Sequence, residues 1–265
     1  MGSTRRNLLL GALPFMLVAA VYLVASHERL ADNPHDKLLP SLAQMADAVG
    51  RYAFTPDPQT GAYLLLNDTW ASLKRIALGV GLAALGGLFA GINMGLLPRA
   101  KALFSALLVF VSMVPPLAIL PILFIALGVD EVSKVALIFL GVFPVIARDI
   151  LLTSERIPRE QIVKAVTLGA RTSAIIYRLV LPQVLPRLID AVRLSLGGAW
   201  LFLIAAEAIA STEGLGYRIF LVRRYLSMDV ILPYVLWITA LGFAADWLLR
   251  RLIAWRFRWY TAASA

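Results

Sequence analysis

KAVTLGARTSAIIYRLVLPQVLP, residues 164–186, is the stretch from which the rest of this chain can be ordered. It is basic, amphipathic and partly polar, and it stands between segments that are almost wholly apolar. Gly169 lies near its start, and Leu179-x-Leu181-Pro182 lies near its end. A chain otherwise built for lipid keeps this one long piece in water. That marks it as a loop between membrane spans and as a surface offered to another molecule.

On either side the composition is that of a membrane protein. Apolar residues make up 60% of the 265 and charged residues only 15%, outside the range of soluble domains. A spanning helix needs about 20 mostly apolar residues, and such stretches fall near 7–26, 71–97, 102–127, 133–149, 188–211 and 230–249. Long apolar runs without period-2 alternation predict helices rather than a barrel. The expected fold is therefore an all-α membrane protein of about six transmembrane helices. It forms a single domain over 1–265, with an N-terminal helix and an amphipathic segment in 1–70. A core over 71–252 carries the polar loop at 150–187.

The net charge of +9 comes from basic residues that flank the apolar runs. This is the positive-inside pattern and not a nucleic-acid surface. Arg5 and Arg6 precede the first span and place the N-terminus in the cytoplasm, and an even number of crossings returns the C-terminus there. The inside loops then hold Arg99, Lys101, Arg148, Arg156, Arg159, Lys164, Arg171, Arg178 and Arg187, and the tail holds Arg250, Arg251, Arg256 and Arg258. The first apolar run is longer than a signal-peptide core, so it is expected to be a retained helix. The chain has no cysteine, which excludes disulfides, thiol nucleophiles and zinc–thiolate sites.

Local patterns add detail. Ser41 to Tyr52 places Leu42, Met45, Val49 and Tyr52 at helical spacing behind Ser41 as N-cap, a surface helix along the membrane. Residues 55–61 are turn-rich. Gly87-x-x-x-Gly91-x-x-x-Gly95 forms a small-residue stripe that lets another helix approach closely, within the chain or, as the alternative, at a dimer seam. Pro115, Pro116 and Pro121 interrupt the third span. Irregular backbone at that depth must face protein or a water-filled cavity.

No enzyme signature is present. There is no phosphate-binding loop, Gly214-x-Gly216 lacks the rest of a dinucleotide fingerprint, and His27 and His35 are too isolated for a metal site. Charges inside spans are costly and so informative. Asp190 and Arg193 are i,i+3 and can neutralise each other. Arg193, Trp200 and Glu207 share one helix face. Two readings of Glu207 stand: it pairs with Arg218 or Arg223, or the Trp200–Glu207 face lines a translocation path together with Asn93, Ser112, Met113, Pro115 and Pro116. Glu213-Gly214-Leu215-Gly216-Tyr217-Arg218 implies a tight turn, a candidate gate or docking surface.

Gly169, nine residues, then Leu179-x-Leu181-Pro182 resembles the cytoplasmic loop of permease subunits of binding-protein-dependent ABC importers. The likeness extends to Ser72-Leu73-Lys74-Arg75, Val114-Pro115-Pro116-Leu117-Ala118, Gly128-x-x-Glu131-x-Ser133-Lys134, Ala206-Glu207, Gly214-Leu215-Gly216-Tyr217 and Asp246. Together these are similar to the nitrate/sulfonate/taurine class. Residues 185–190 and 217–225 resemble its urea/guanidine-carboxylase-associated branch. The resemblance implies the type I importer permease fold in a bacterial inner membrane, and a transport subunit rather than an enzyme. It implies a homodimer of this chain, two ATP-binding subunits that hold ATP and Mg, and a periplasmic binding protein; this chain itself would bind no cofactor. The substrate implied is small and polar, nitrate-, sulfonate- or taurine-like or urea- or guanidinium-like. A coupling helix around 165–174 would dock on the ATPase, through Glu160, Lys164, Ala165, Gly169, Ala170, Leu179, Leu181 and Pro182. One position departs: the loop's usual glutamate is Val163 here, and Glu160, one turn earlier, would substitute. The alternative is a stand-alone secondary transporter or channel, with Glu207 and Asp246 as its ion-coupling carboxylates.

Overall fold

The computed structural model describes residues 2–34, 36–58 and 60–263; the side chains of 2–9 and 261–263 and all of His35 lie outside that description. His35, and the charges of Arg5 and Arg6 on which the orientation rests, therefore fall outside it. The described residues form helices joined by short connections. In chain order these are α1 (Gly2–Asp32), α2 (Leu42–Val49), α3 (Leu64–Leu96), α4 (Pro98–Met113), α5 (Leu120–Leu127), α6 (Glu131–Glu155), α7 (Arg159–Thr167), α8 (Thr172–Ile175), α9 (Leu181–Ile209), α10 (Leu215–Arg223), α11 (Met228–Arg256) and α12 (Arg258–Ala263). A π turn, Ile176–Val180, joins α8 to α9. Among the described residues five helical stretches are long and apolar enough to cross a membrane, and a sixth crossing is available if the bent pair α4–α5 counts as one. The chain divides into two compact units, Met1–Asp68 with Arg218–Trp237, and Thr69–Tyr217 with Ile238–Ala265.

In the first unit α1 presents Leu13, Phe15, Leu17, Val18 and Val21 outward, as a lipid-facing helix does. The strap after it is held by side chains of α1: Tyr22 Oη donates to Pro40 O at 2.6 Å and Ser26 Oγ to Leu39 O at 3.0 Å. Ser41 then opens α2 with a complete capping box. Its hydroxyl accepts from Gln44 N–H, and its own N–H donates to the Gln44 side chain. Asp68, fully buried, accepts from Arg218 at 2.8 Å and from Tyr234 Oη at 3.2 Å.

The second unit is built on a parallel pair. Gly79 of α3 faces Ile138 of α6, Gly87 faces Ile146, Gly91 faces Ile150 and Gly95 faces Ser154. The residue offset is the same at every contact, so α3 and α6 run in the same direction in register. A Cβ on Gly91 would lie 2.6 Å from Ile150 Cβ, which is why the stripe must be glycine. Two parallel helices need a return crossing between them, and α4 and α5 supply it. Leu108 of α4 packs with Met94, Ala147 and Leu151 at one end of α6, and Leu120 packs with Leu137 and Ala206 at the other. The pair α4–α5 is thus one broken span rather than a re-entrant loop, bent by 85°. Its break follows from Val114-Pro115-Pro116. A residue before proline is pushed out of the helical region, and Val114 and Pro115 take ψ of 122° and 117°. Pro121 is not a break; it occupies the first turn of α5, where its missing N–H costs nothing. The other long helix of the unit, α9, runs antiparallel to α6, from Arg187 beside Asp149 to Ala206 beside Leu137.

Candidate functional site

Two polar features stand at opposite ends of the α3–α6 pair. At the α7 end, Pro158 precedes the helix, Glu160 lies in its first turn and Gly169 stops it. Gly169 has φ +79°, its N–H donates to Val166 O at 2.9 Å, and Ala170 N–H donates to Ala165 O at 3.0 Å. These two bonds form the Schellman closure that a left-handed residue makes possible. The helix expected around 165–174 is therefore displaced: it spans 159–167, and the chain turns before α8. The polar connection is also shorter than 150–187, because α6 continues to Glu155 and helical backbone resumes at Thr172. On α7, Val163, Val166 and the following Leu168 are exposed, while Ile162 and Ala165 are half-buried. Gln183 at the start of α9 donates to the Gln161 side chain at 3.2 Å and steadies α7 against α9. Lys164 and Glu160 are exposed, Leu179 lies in the π turn, and Leu181 and Pro182 open α9.

Immediately above α7 runs a chain of ion pairs. Arg187 of α9 holds Asp149 of α6 with two hydrogen bonds, 2.6 and 2.8 Å. Arg193 pairs with Asp190, as its spacing predicted, and also with Asp246 of α11 at 2.9 Å. Arg250 holds the other Asp246 oxygen at 2.6 Å, and Tyr260 Oη donates to Asp190 at 2.9 Å. Burial and the Asp190 carboxylate both raise the Tyr260 phenol above its usual value, so it stays a donor. The segment after the loop is thereby tied to α6, α11 and α12.

At the opposite end lies a buried charge cluster. Arg75 Nη1 donates to Glu207 Oε1 at 2.7 Å and to Glu213 O at 2.9 Å. Its Nε and Nη2 hold both oxygens of Glu131 at 2.6 and 2.7 Å, and Lys134 Nζ is 3.0 Å from Glu131. Ser72 Oγ donates to Glu207 at 2.8 Å and accepts from Leu215 N–H at 2.9 Å. Gly216 N–H donates to Glu207 Oε2 at 2.8 Å. Glu207 and Ser72 thus satisfy the first free N–H groups of α10, where a carboxylate is favoured. Gly214, with φ +123°, and Gly216 press against this carboxylate: a Cβ on Gly214 would lie 2.5 Å from Glu207 Cδ.

The partner of Glu207 is therefore Arg75, and not Arg218 or Arg223; Arg218 bonds Asp68. Burial works against the Arg218 cation, but the hydrogen bonds and charge of Asp68 outweigh it and raise its pKa. Trp200 is buried too, with its Nε1 beside Gly242. The other candidate path residues lie elsewhere. Ser112, Met113 and Pro115 are exposed and Pro116 is half-buried at the break. Asn93 is half-buried at the edge of an apolar cavity of about 450 Å3 with Phe89, Phe104 and Phe143. The structure does not bring these residues together with Trp200 and Glu207; the exposed face of α9 is Leu194, Gly197 and Leu201. Glu213 and Tyr217 flank the glycine turn. Glu207 and Asp246, the carboxylates an ion-coupled transporter would use, are both held by arginines. The roles of Arg75, Ser72, Glu131 and Lys134 were not read from the sequence, although an arginine at the start of a long apolar run calls for a buried carboxylate.

A family model described as the binding-protein-dependent transport system inner membrane component matches residues 83–258. The taurine transport system permease protein TauC of Escherichia coli is 35% identical over 189 residues, 70% of this chain and 69% of that protein. The bicarbonate transport system permease protein CmpB of Synechococcus elongatus is 34% identical over 199 residues, 72% and 68% of the two chains. Among solved structures, an inward-facing MetNI methionine ABC transporter chain aligns with a TM-score of 0.59 at 20% identity, covering 74% of this chain and 98% of that one. That last likeness is one of fold.

Proposed function

The chain belongs to the family of inner membrane components of binding-protein-dependent transport systems, and on that footing we propose that α7 is the element through which ATP hydrolysis drives it. It is the membrane-spanning permease subunit of an ABC importer for small solutes, a transport component rather than an enzyme. It works in the inner membrane with an ATPase and a binding protein. The observation that carries the proposal is the short exposed helix between α6 and α9, closed by Gly169 and presenting Val163, Val166 and Leu168 outward. A groove on each of two ATPase subunits would receive one such helix from each of two copies of this chain. ATP and Mg would sit on those subunits.

Six crossings, with α4–α5 as one, would place both termini and α7 in the cytoplasm and the Arg75–Glu207 cluster outside. Nucleotide and loaded binding protein would favour an outward-open arrangement and hydrolysis the inward one, a shift between two states. α9 would act as the lever, being continuous with the segment that follows α7. The substrate would be a small polar solute of the kind named for the relatives, taurine or bicarbonate. Vesicles carrying this chain, its ATPase and its binding protein should accumulate the solute only with ATP and all three components present. Uptake by this chain alone, without ATP, would overturn the reading.

A further inference from the structure

Trp247, Arg251 and Trp255 follow one another at four-residue steps on α11, so they stack along one helix face. All three are exposed, Trp247 at 51% and Trp255 at 72%. The Arg251 guanidinium lies 5.5 Å from the centre of the Trp247 ring. Among the described residues no carboxylate pairs with it, unlike Arg250, which is committed to Asp246. Beside it is a shallow, open groove of about 700 Å3 whose described lining comes from α11 alone, Leu248, Leu249, Leu252, Ala254 and Trp255. The 29-residue α11 is about 43 Å long, against a hydrocarbon core of about 30 Å. That excess, with Arg250, Arg251 and Arg256 gathered in its last turns, puts this end in the headgroup layer, the level at which indoles and arginines settle.

We propose that this groove holds one anionic phospholipid, with its phosphate on Arg251 and an acyl chain along Leu248, Leu252 and Trp255. Charge and depth select that occupant. A cation at headgroup level attracts a phosphodiester, and the apolar face of Leu248, Leu252 and Trp255 below it suits a chain and not a water-soluble protein. Trp255 lines the groove, and Trp247 holds the guanidinium in place. The inference goes beyond the cargo and the ATPase, because it concerns only what the bilayer supplies.

The test is to reconstitute the full complex in vesicles of phosphatidylcholine and phosphatidylglycerol, extract it, and count both lipids per complex. Arg251→Gln should retain about fivefold less phosphatidylglycerol, the loss expected from about 1 kcal/mol per basic residue at a membrane surface. Arg251→Lys should retain it, and phosphatidylcholine should be unchanged in both. Trp255→Ala, which keeps the charge, should lower both lipids. Equal phosphatidylglycerol on Arg251→Gln and the parent complex would overturn the proposal. So would a cysteine placed at Leu252 that cross-links to a second copy rather than remaining accessible to lipid-borne reagents. The counts do not depend on transport, so they stand or fall apart from the coupling role of α7.

Discussion

Arg75 and Glu207 form an ion pair at 2.7 Å in which the arginine side chain is 2% exposed and the glutamate 0%. Two charges removed from water in this way stay favourable only while every donor and acceptor is used. Here Arg75 also serves Glu131 and the Glu213 carbonyl, and Glu207 also serves Ser72 and Gly216. Replacing Arg75 by leucine leaves the buried Glu207 carboxylate unmatched and should cost about 3–5 kcal/mol, whereas replacing Glu207 by alanine leaves Arg75 paired with Glu131 and should cost less. The measurement is the yield of folded, monodisperse protein from membranes and its melting temperature. The Arg75→Met/Glu207→Met double variant should recover part of that loss, because Lys134 still neutralises Glu131. A double variant as unstable as both single losses added together would show the pair to be uncoupled.

Glycine replacements should divide sharply by position. A Cβ on Gly216 would lie 2.8 Å from the Ile204 carbonyl oxygen, and one on Gly214 would strike the Glu207 carboxyl. Backbone at the first site and a fully bonded carboxylate at the second cannot move aside cheaply. Alanine at either should lower the melting temperature by several degrees, in keeping with an overpacking cost of about 1–3 kcal/mol. Alanine at Gly197 or Gly81, where nothing lies within 4 Å, should leave it unchanged or raise it, since each sits inside a helix. Thermal melts of the detergent-solubilised variants separate the two groups.

Span positions were legible because length and apolarity alone decide what crosses a bilayer, and the Pro115-Pro116 break and the Ser41 cap were legible because each acts on its immediate neighbours. The Gly87–Gly95 stripe announced a close helix but not which one; only the constant offset to α6 shows that the pair is parallel and that α4–α5 must return the chain. One of the two readings of Glu207 pairs it with arginines close in sequence, whereas its partner is 132 residues away. Nothing local encodes a pairing of that range. The end of α7 was misplaced for the opposite reason: Gly169 reads as part of a motif, yet its positive φ makes it a terminator.

The Arg187–Asp149 pair offers a test of the lever. It joins α9 to α6 through two hydrogen bonds just beyond the polar loop, with Arg187 37% and Asp149 24% exposed. Stability should therefore respond only modestly. Arg187→Asp should lower substrate moved per ATP hydrolysed severalfold while leaving the complex assembled. Adding Asp149→Arg restores opposite charges across the same gap and should recover most of the ratio. Failure of the swap to restore it, with the complex intact, would remove the pair from the transmission path.

Gly169 carries the sharpest prediction for the docking role proposed for α7. Its φ of +79° costs glycine little and a side-chain-bearing residue about 1–2 kcal/mol, and nothing surrounds it within 4 Å. Gly169→Leu is therefore not expected to unfold the permease. It should instead open the two hydrogen bonds that close α7 and alter the direction in which Val166 and Leu168 point. The expected result is normal insertion, ATP hydrolysis that no longer responds to loaded binding protein, and uptake reduced at least tenfold. Val163→Asp probes the same surface with the α7 backbone intact. It places a charge where this chain presents an apolar contact, and it should weaken capture of the ATPase measured by co-purification. If Gly169→Leu transports normally and Val163→Asp retains its ATPase, α7 is not the docking element, whatever its likeness to one.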